Sequence, residues 1–296
     1  MDRNIFDSVR AFGRRLPVLK HALLPMWDPF THVCWVSRNA LTNRRPVRVP
    51  AGSEMVLLHP EGQIAEALWV SGFEAAERKL VARVARPGMR VLNIGANIGL
   101  YTAMAAKLVG PTGEVHAFEP STTTFVRLKR NMRLNNLTNV LLNNVALSDA
   151  TGRLILRSDP RNRAMDGHRF VESMDESGAM TVGDEVIDCD TLDMYFSRIA
   201  GGKLLPTIDL MIMDVEGAEW AVLKGATRVL KASTNLLIVL ECSQNREEVG
   251  ELLSKENFRF YAWNSVVSRL ESVGFVPGAA SGAVIAYRGN PDECLS

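Results

Sequence analysis

Patterned metal ligands and disulfide partners are missing from this sequence. Its four cysteines, Cys34, Cys189, Cys242 and Cys294, lie far apart and form no C-x-x-C pair. None of the 5 histidines falls at metal-ligand spacing. That argues against a structural zinc and a disulfide-stapled scaffold, and it suits a reducing compartment. No stretch approaches the roughly 20 apolar residues that a membrane span requires. The N-terminus carries Arg3, Arg10, Arg14 and Arg15 but lacks a compact apolar region followed by a small-residue cleavage site. A cytoplasmic location is therefore expected. An excess of one charge is also lacking: the net charge is +1 and the pI about 7.7. No global field draws the chain to nucleic acid or an anionic membrane.

The 296 residues suit one large α/β domain with an N-terminal extension, and that is enough chain to bury a full core. Within it, Val91-Leu-Asn-Ile-Gly-Ala-Asn-Ile-Gly99 runs from an apolar strand into a glycine turn, followed by the helix-like Leu100 to Val109. A second strand, Glu114 to Phe118, ends in Glu119. Strand, glycine turn, helix and an acid at the next strand tip form a nucleoside-binding half of an α/β sheet. A dinucleotide turn, G-x-G-x-x-G, lets the backbone approach a pyrophosphate. Here the third glycine position is Leu100, whose branched side chain is expected to crowd phosphates. The spacing points instead to S-adenosyl-L-methionine, with the two ribose hydroxyls on Glu119.

Strands and helices then alternate, as a doubly wound sheet requires. Strands are expected at 90–94, 114–118, 139–146, 208–213, 236–241, 258–262 and 283–287, and a short hairpin at Val47–Val49 and Met55–Leu58. Helices are expected at 74–85 and 121–136. Residues 1–70 read as the extension and 71–290 as the catalytic domain. Gly152–Leu156 and Val186–Cys189 are expected as an added β pair flanking a polar insert, 157–185, that contains His168. For this insert a disordered loop and a substrate lid both stay open.

Several local motifs together resemble the FkbM-type S-adenosylmethionine-dependent methyltransferases. They are Asn93-Ile-Gly-Ala-Asn-Ile-Gly-Leu-Tyr-Thr, Ala117-Phe-Glu-Pro, Val145-Ala-Leu-Ser-Asp, Thr191-Leu-Asp, and Met213-Asp-Val-Glu-Gly-Ala-Glu with Val222-Leu-Lys-Gly-Ala. The resemblance runs from about Gly72 to Glu241. It implies the class I methyltransferase fold, a seven-stranded sheet whose last strand is antiparallel, and O-methylation of a sugar, glycolipid or secondary-metabolite hydroxyl. One position departs from the family: Asn93 stands where aspartate is usual, so an amide braces the turn and no charge is offered to the cofactor's ammonium.

For the cofactor, Asn93, Gly95, Asn97, Gly99 and Glu119 are expected to form the turn and ribose site, with Ala146 and Ser148 beside the adenine. Asp214, at the carboxyl edge of the strand 208–213, is expected near the methionine portion or the incoming hydroxyl. A sugar hydroxyl needs a base within reach. His168 is the first candidate and Asp214 the second. Asp214, Glu216 and Glu241 could draw a divalent metal, but hard-ion sites need convergent oxygens, so no metal is expected. His116, Trp220, Tyr261 and Trp263 read as core residues. The expected partner is a small-molecule or glycan acceptor rather than nucleic acid, and the oligomeric state stays open. Two rival readings are an NAD-dependent oxidoreductase and a non-catalytic cofactor-binding module.

Overall fold

A computed structural model describes residues 32–70, 73–158, 169–173, 180, 182–201, 204–242, 244–265, 267–273 and 283–289. It opens on a helix α1 (32–41) and an antiparallel hairpin of β1 (Val47–Ala51) and β2 (Glu54–Leu58). Helices α2 (Gly62–Val70) and α3 (Ala75–Val84) lead into the main sheet. The hairpin falls where the sequence puts it.

The central strands are continuous apolar runs because helices cover both of their faces. They are β3 (Arg90–Ile94), β4 (Glu114–Phe118), β10 (Leu210–Met213) and β11 (Leu237–Leu240). Helix α4 (Leu100–Val109) links β3 to β4, and α5 (Thr122–Leu134) links β4 to β5 (Val140–Asn143). Ser121 caps α5 by accepting from the Thr124 N–H. Beyond β10, α7 (Glu219–Lys224) and α8 (Thr227–Ala232) lead to β11. Helix α9 (Arg246–Lys255), β12 (Arg259–Asn264), β13 (Arg269–Val273) and β14 (Val284–Tyr287) complete the sheet.

The strand order is β13-β12-β14-β11-β10-β3-β4-β5. The run from β11 to β5 is parallel, and β14 is antiparallel to both β11 and β12. The chain leaves the sheet centre at β3, works outward to β5, and returns beside β3 as β10. That reversal makes a topological switch point at the carboxyl ends of β3 and β10. The expected class I arrangement is present, antiparallel last strand included. The described sheet has eight strands rather than seven because β13 folds back on β12 as an extra hairpin.

The expected strand 139–146 is divided in two. Asn144 donates from its amide to the carbonyls of Glu119 and Pro120, each at 2.9 Å, which turns the chain out of the main sheet after β5. The next strand, β6 (Ala146–Leu147), joins a second sheet of order β6-β9-β7-β8. Its other members are β7 (Gly152–Ser158), β8 (Arg169–Ser173) and β9 (Glu185–Asp190), and helix α6 (Leu192–Ala200) follows. The added β pair is thus present. Strand β8 falls inside the segment read as a polar insert, where Arg-Phe-Val-Glu-Ser is too short an alternation to register.

Helix α5 ties the N-terminal hairpin to the main sheet. Asn135 accepts from the Leu57 N–H at 2.8 Å and donates to the Leu57 carbonyl at 2.6 Å, acting as a side-chain stand-in for a neighbouring strand. One turn earlier, buried Asn131 accepts from the His59 N–H at 2.8 Å and donates to the Ile98 carbonyl at 2.7 Å. Asn131→Ala would strand both backbone groups, at about 1–3 kcal/mol each. The expected loss is about 2–6 kcal/mol in total, read as a lower urea midpoint with an unchanged slope.

Candidate active site

The cleft lies at the switch point. It spans about 690 Å³, including the solvent space at its open mouth. Its floor is the turn after β3, which depends on glycine at residue 95. Gly95 has φ 78°, and a Cβ there would overlap the backbone carbonyl of Asp214. The Gly95 and Ala96 N–H groups donate to the Phe118 carbonyl at 3.0 and 2.8 Å. Asn97 follows in a left-handed conformation, φ 48°, which asparagine tolerates because its side chain bonds locally. Its Oδ1 accepts from the Ile98 N–H at 2.7 Å.

Glu119 joins this turn to the next. One carboxylate oxygen accepts from the Asn97 N–H and the other from the Ser121 N–H, both at 2.9 Å. The side chain is buried at the cleft wall, fixed between the tips of β3 and β4.

Opposite stands Asp214, directly after β10, its N–H bonded to the Ile94 carbonyl. It faces the cleft and is exposed, while protein surrounds it on its other sides. Desolvation, then the nearby carboxylates Glu241, Glu216, Glu74 and Glu219, push its pKa up to about 7. Glu216 also lines the cleft and holds a left-handed backbone, φ 48°. Glu219 points inward: one oxygen accepts from the Gly217 N–H at 3.0 Å, and the residue is only 1% exposed. Burial raises its pKa too. Glu74, at the start of α3, accepts from the Tyr101 hydroxyl at 2.7 Å. Among the described residues, no cluster of three His, Cys, Asp or Glu side chains has the geometry to hold a metal.

Part of the cleft is apolar. Val145 lines it from the loop after β5, Ala146 and Leu147 from β6, and Leu156 and Val171 from β7 and β8 of the second sheet. The cleft therefore combines the carboxylates Asp214, Glu216 and Glu119 with a set of aliphatic side chains. That combination fits S-adenosylmethionine, which carries a cationic sulfonium, a zwitterionic amino-acid tail, a ribose diol and a neutral aromatic base.

Among the residues expected from the sequence, Gly95, Asn97, Glu119, Ala146 and Asp214 line one cleft. Asn93 does not: its amide donates to Thr102 at 2.8 Å and both are buried. Gly99 serves packing instead. At φ 88°, a Cβ there would fall within 2.6 Å of Leu128 and Met132 on α5. Ser148 stands just beyond, its N–H bonded to the Asp190 carbonyl. His168 lies outside the described residues. Leu100 is buried against the β1–β2 hairpin rather than standing over the turn, so it cannot crowd a phosphate. Charge opposes a phosphate instead, since a diphosphate would have to share the cleft with Asp214 and Glu216. His116 is a core residue as expected, bonded to the Tyr195 hydroxyl at 2.8 Å. Leu156 and Val171 carry no sequence signal beyond strand alternation.

The raised pKa of Asp214 fixes a sign for stability. Between the ordinary aspartate value and about 7, the folded state holds a proton that the unfolded chain has released. Stability contributed by the protonated group is therefore present below that window and lost as pH rises through it. Asp214→Asn should flatten the fall in Tm between about pH 4 and pH 7 and raise Tm at pH 8. A lower Tm at pH 8 would contradict this electrostatic account.

Comparisons with known proteins identify the family. The Methyltransferase FkbM domain model matches residues 93–276. Methyltransferase sdnD of Sordaria araneosa is 33% identical over 154 residues, covering 46% of this chain and 59% of that protein. Hexuronic acid methyltransferase AglP of Haloferax volcanii is 28% identical over 167 residues, covering 55% and 60%. The crystal structure of Methyltransferase FkbM from Methylobacillus flagellatus KT aligns at 14% identity and a TM-score of 0.42, over 75% of this chain and 54% of that one. The chain spans 57–60% of the length of the curated relatives it matches. It belongs to the FkbM methyltransferase family, whose cofactor is S-adenosyl-L-methionine.

Proposed function

We propose that this chain is an S-adenosylmethionine-dependent O-methyltransferase acting on a hydroxyl of a sugar, a glycolipid or a secondary metabolite. The observation that carries the reading is the cleft at the switch point, lined by Asp214 and by Glu119, which is bonded to both strand-tip loops. When bound, the cofactor supplies an activated methyl group on a sulfonium. Glu119 accepts the ribose hydroxyls, because a carboxylate oxygen can receive a second hydrogen bond beside the backbone one. The carboxylates around Asp214 favour the cationic end and hold it against the Gly95 turn.

With the cofactor bound, the O–CH3 bond would form as the S–CH3 bond breaks, S-adenosylhomocysteine would leave, and the hydroxyl proton would pass to a base. A base with a pKa near the working pH suits that step. The two candidates are His168 and Asp214, and Asp214 is supported by its pKa of about 7 and its exposure to the cleft. Alignment and exclusion of water supply the rest of the acceleration. A hydroxyl acceptor on a sugar is also supported by the hexuronic acid methyltransferase among the relatives. The proposed acceptor is a small molecule or glycan, and the proposed location is the cytoplasm.

Calorimetry tests the cofactor half. S-adenosylmethionine and S-adenosylhomocysteine should bind, and NAD should not. Glu119→Gln should weaken both by about ten- to a hundredfold. Stabilisation by NAD alone would overturn the reading. Methyl-labelled cofactor incubated with fractionated extract of the source cells tests the acceptor half, with label expected in small molecules or glycans. Label recovered only in protein would overturn the substrate class. With an acceptor in hand, kcat/KM should rise with pH through about 7 and lose that dependence in Asp214→Asn.

A further inference from the structure

The second sheet is the largest addition to the doubly wound plan, and residues on three of its strands, β6, β7 and β8, line the cleft. Leu156 on β7 and Val171 on β8 are direct cross-strand partners, and both belong to the cleft's apolar lining. Alternation along the two strands puts their neighbours on the opposite face. There Arg157 bridges to Glu172 at 2.6 Å and to Asp184 at 2.7 Å, while Phe170 stands exposed. The inward face is a small core of Ala146, Leu156, Ile187 and Cys189, with Leu154 and Val171 packed beside it. Ala146 belongs both to that core and to the cleft wall.

The sheet is anchored at its inner edge. Strand β6 pairs in parallel with β9, and the Ser148 N–H donates to the Asp190 carbonyl. Glu185, which lies opposite Leu156 on β9, accepts from the Thr122 N–H at 2.9 Å. Thr122 is three residues past Glu119. The second sheet is therefore fastened to the same loop that would hold the ribose.

We propose that the second sheet forms the outer wall of the adenine slot, with Leu156 and Val171 packing against the base. This rests on the methyltransferase reading above. A base attached to a ribose held by Glu119 has two kinds of surface to meet. Asp214 and Glu216 offer it carboxylates, whereas Val145, Ala146, Leu147, Leu156 and Val171 offer it an aliphatic lining. A neutral aromatic ring is favoured against the aliphatic lining. Leu156 and Val171 thereby select adenine-bearing ligands, and the insert makes a contact with the cofactor rather than only with the acceptor.

The test compares binding of S-adenosylhomocysteine, adenosine and methionine to the full chain. Val171→Ala should weaken S-adenosylhomocysteine and adenosine by a common factor of about fivefold, and Leu156→Ala by about tenfold or more. Phe170→Ala, on the opposite face of β8, should leave both unchanged. Hydrogen exchange on the unmodified protein gives a second readout. Adenosine should slow exchange at residues 155–157 and 170–172, and methionine should not. If the unmodified chain binds none of the three ligands, the methyltransferase reading itself fails. If it binds S-adenosylhomocysteine but the two alanine variants bind as tightly and adenosine gives no protection, the adenine wall is overturned alone. Should a variant fail to fold, the exchange experiment still decides.

Discussion

The cleft depends on how closely the carboxyl ends of β3 and β10 approach. The backbone of Gly95 runs against the carbonyl of Asp214 with no room for a Cβ, and the Asp214 N–H is bonded to Ile94. With the two strand ends locked together, the turn after Gly95 has one way to go. Its N–H groups meet the Phe118 carbonyl, Asn97 takes the left-handed conformation, and the Asn97 N–H meets Glu119. The positions of Glu119 and Asp214 relative to each other therefore follow from backbone contacts, which tolerate less drift than side-chain contacts would.

That arrangement concentrates negative charge. Glu241, Glu216, Glu74 and Glu219 all push up the pKa of Asp214, in a chain whose net charge is only +1. Such a site costs stability in the free protein and stores affinity for a cation. The neutral residue at 93 makes sense in this light. Asn93 is 3% exposed, pairs in register with Ile212 of β10, and is bonded to Thr102. An aspartate there would bury another negative charge beneath a group already strained by its neighbours. The amide braces the turn without adding to that repulsion, and the acids across the switch point provide the field.

The sequence made legible what short-range rules govern. Apolar runs marked β3, β4, β10 and β11; the glycine turn and the acid twenty residues later marked two neighbouring parts of the cleft wall. Glycine identity alone could not separate two different causes. Gly95 is required by a strand end from far along the chain, and Gly99 by the α5 side chains Leu128 and Met132. Leu100 shows the same limit. Its place in the motif suggested a steric role toward phosphate, but its side chain is buried under the hairpin, which no local pattern reveals. The break after β5 turns on one asparagine amide satisfying two carbonyls from a neighbouring loop.

Segments outside the family match are fastened to the cofactor turn as firmly as those inside it. The hairpin β1–β2 precedes residue 93, where the match begins, yet it shares a core with Ile98, Met104 and Leu128. Asn131 links His59, the residue just past the hairpin, to the Ile98 carbonyl at the end of the turn. The second sheet does the equivalent on the other side through Glu185 and Thr122. The turn and Glu119 are thus gripped from two directions by elements that need no contact with the reacting atoms. Such anchoring separates two demands on the chain. The cofactor cleft can stay rigid through backbone bonds to its neighbours, while the outward faces of those same neighbours remain free to vary with the acceptor.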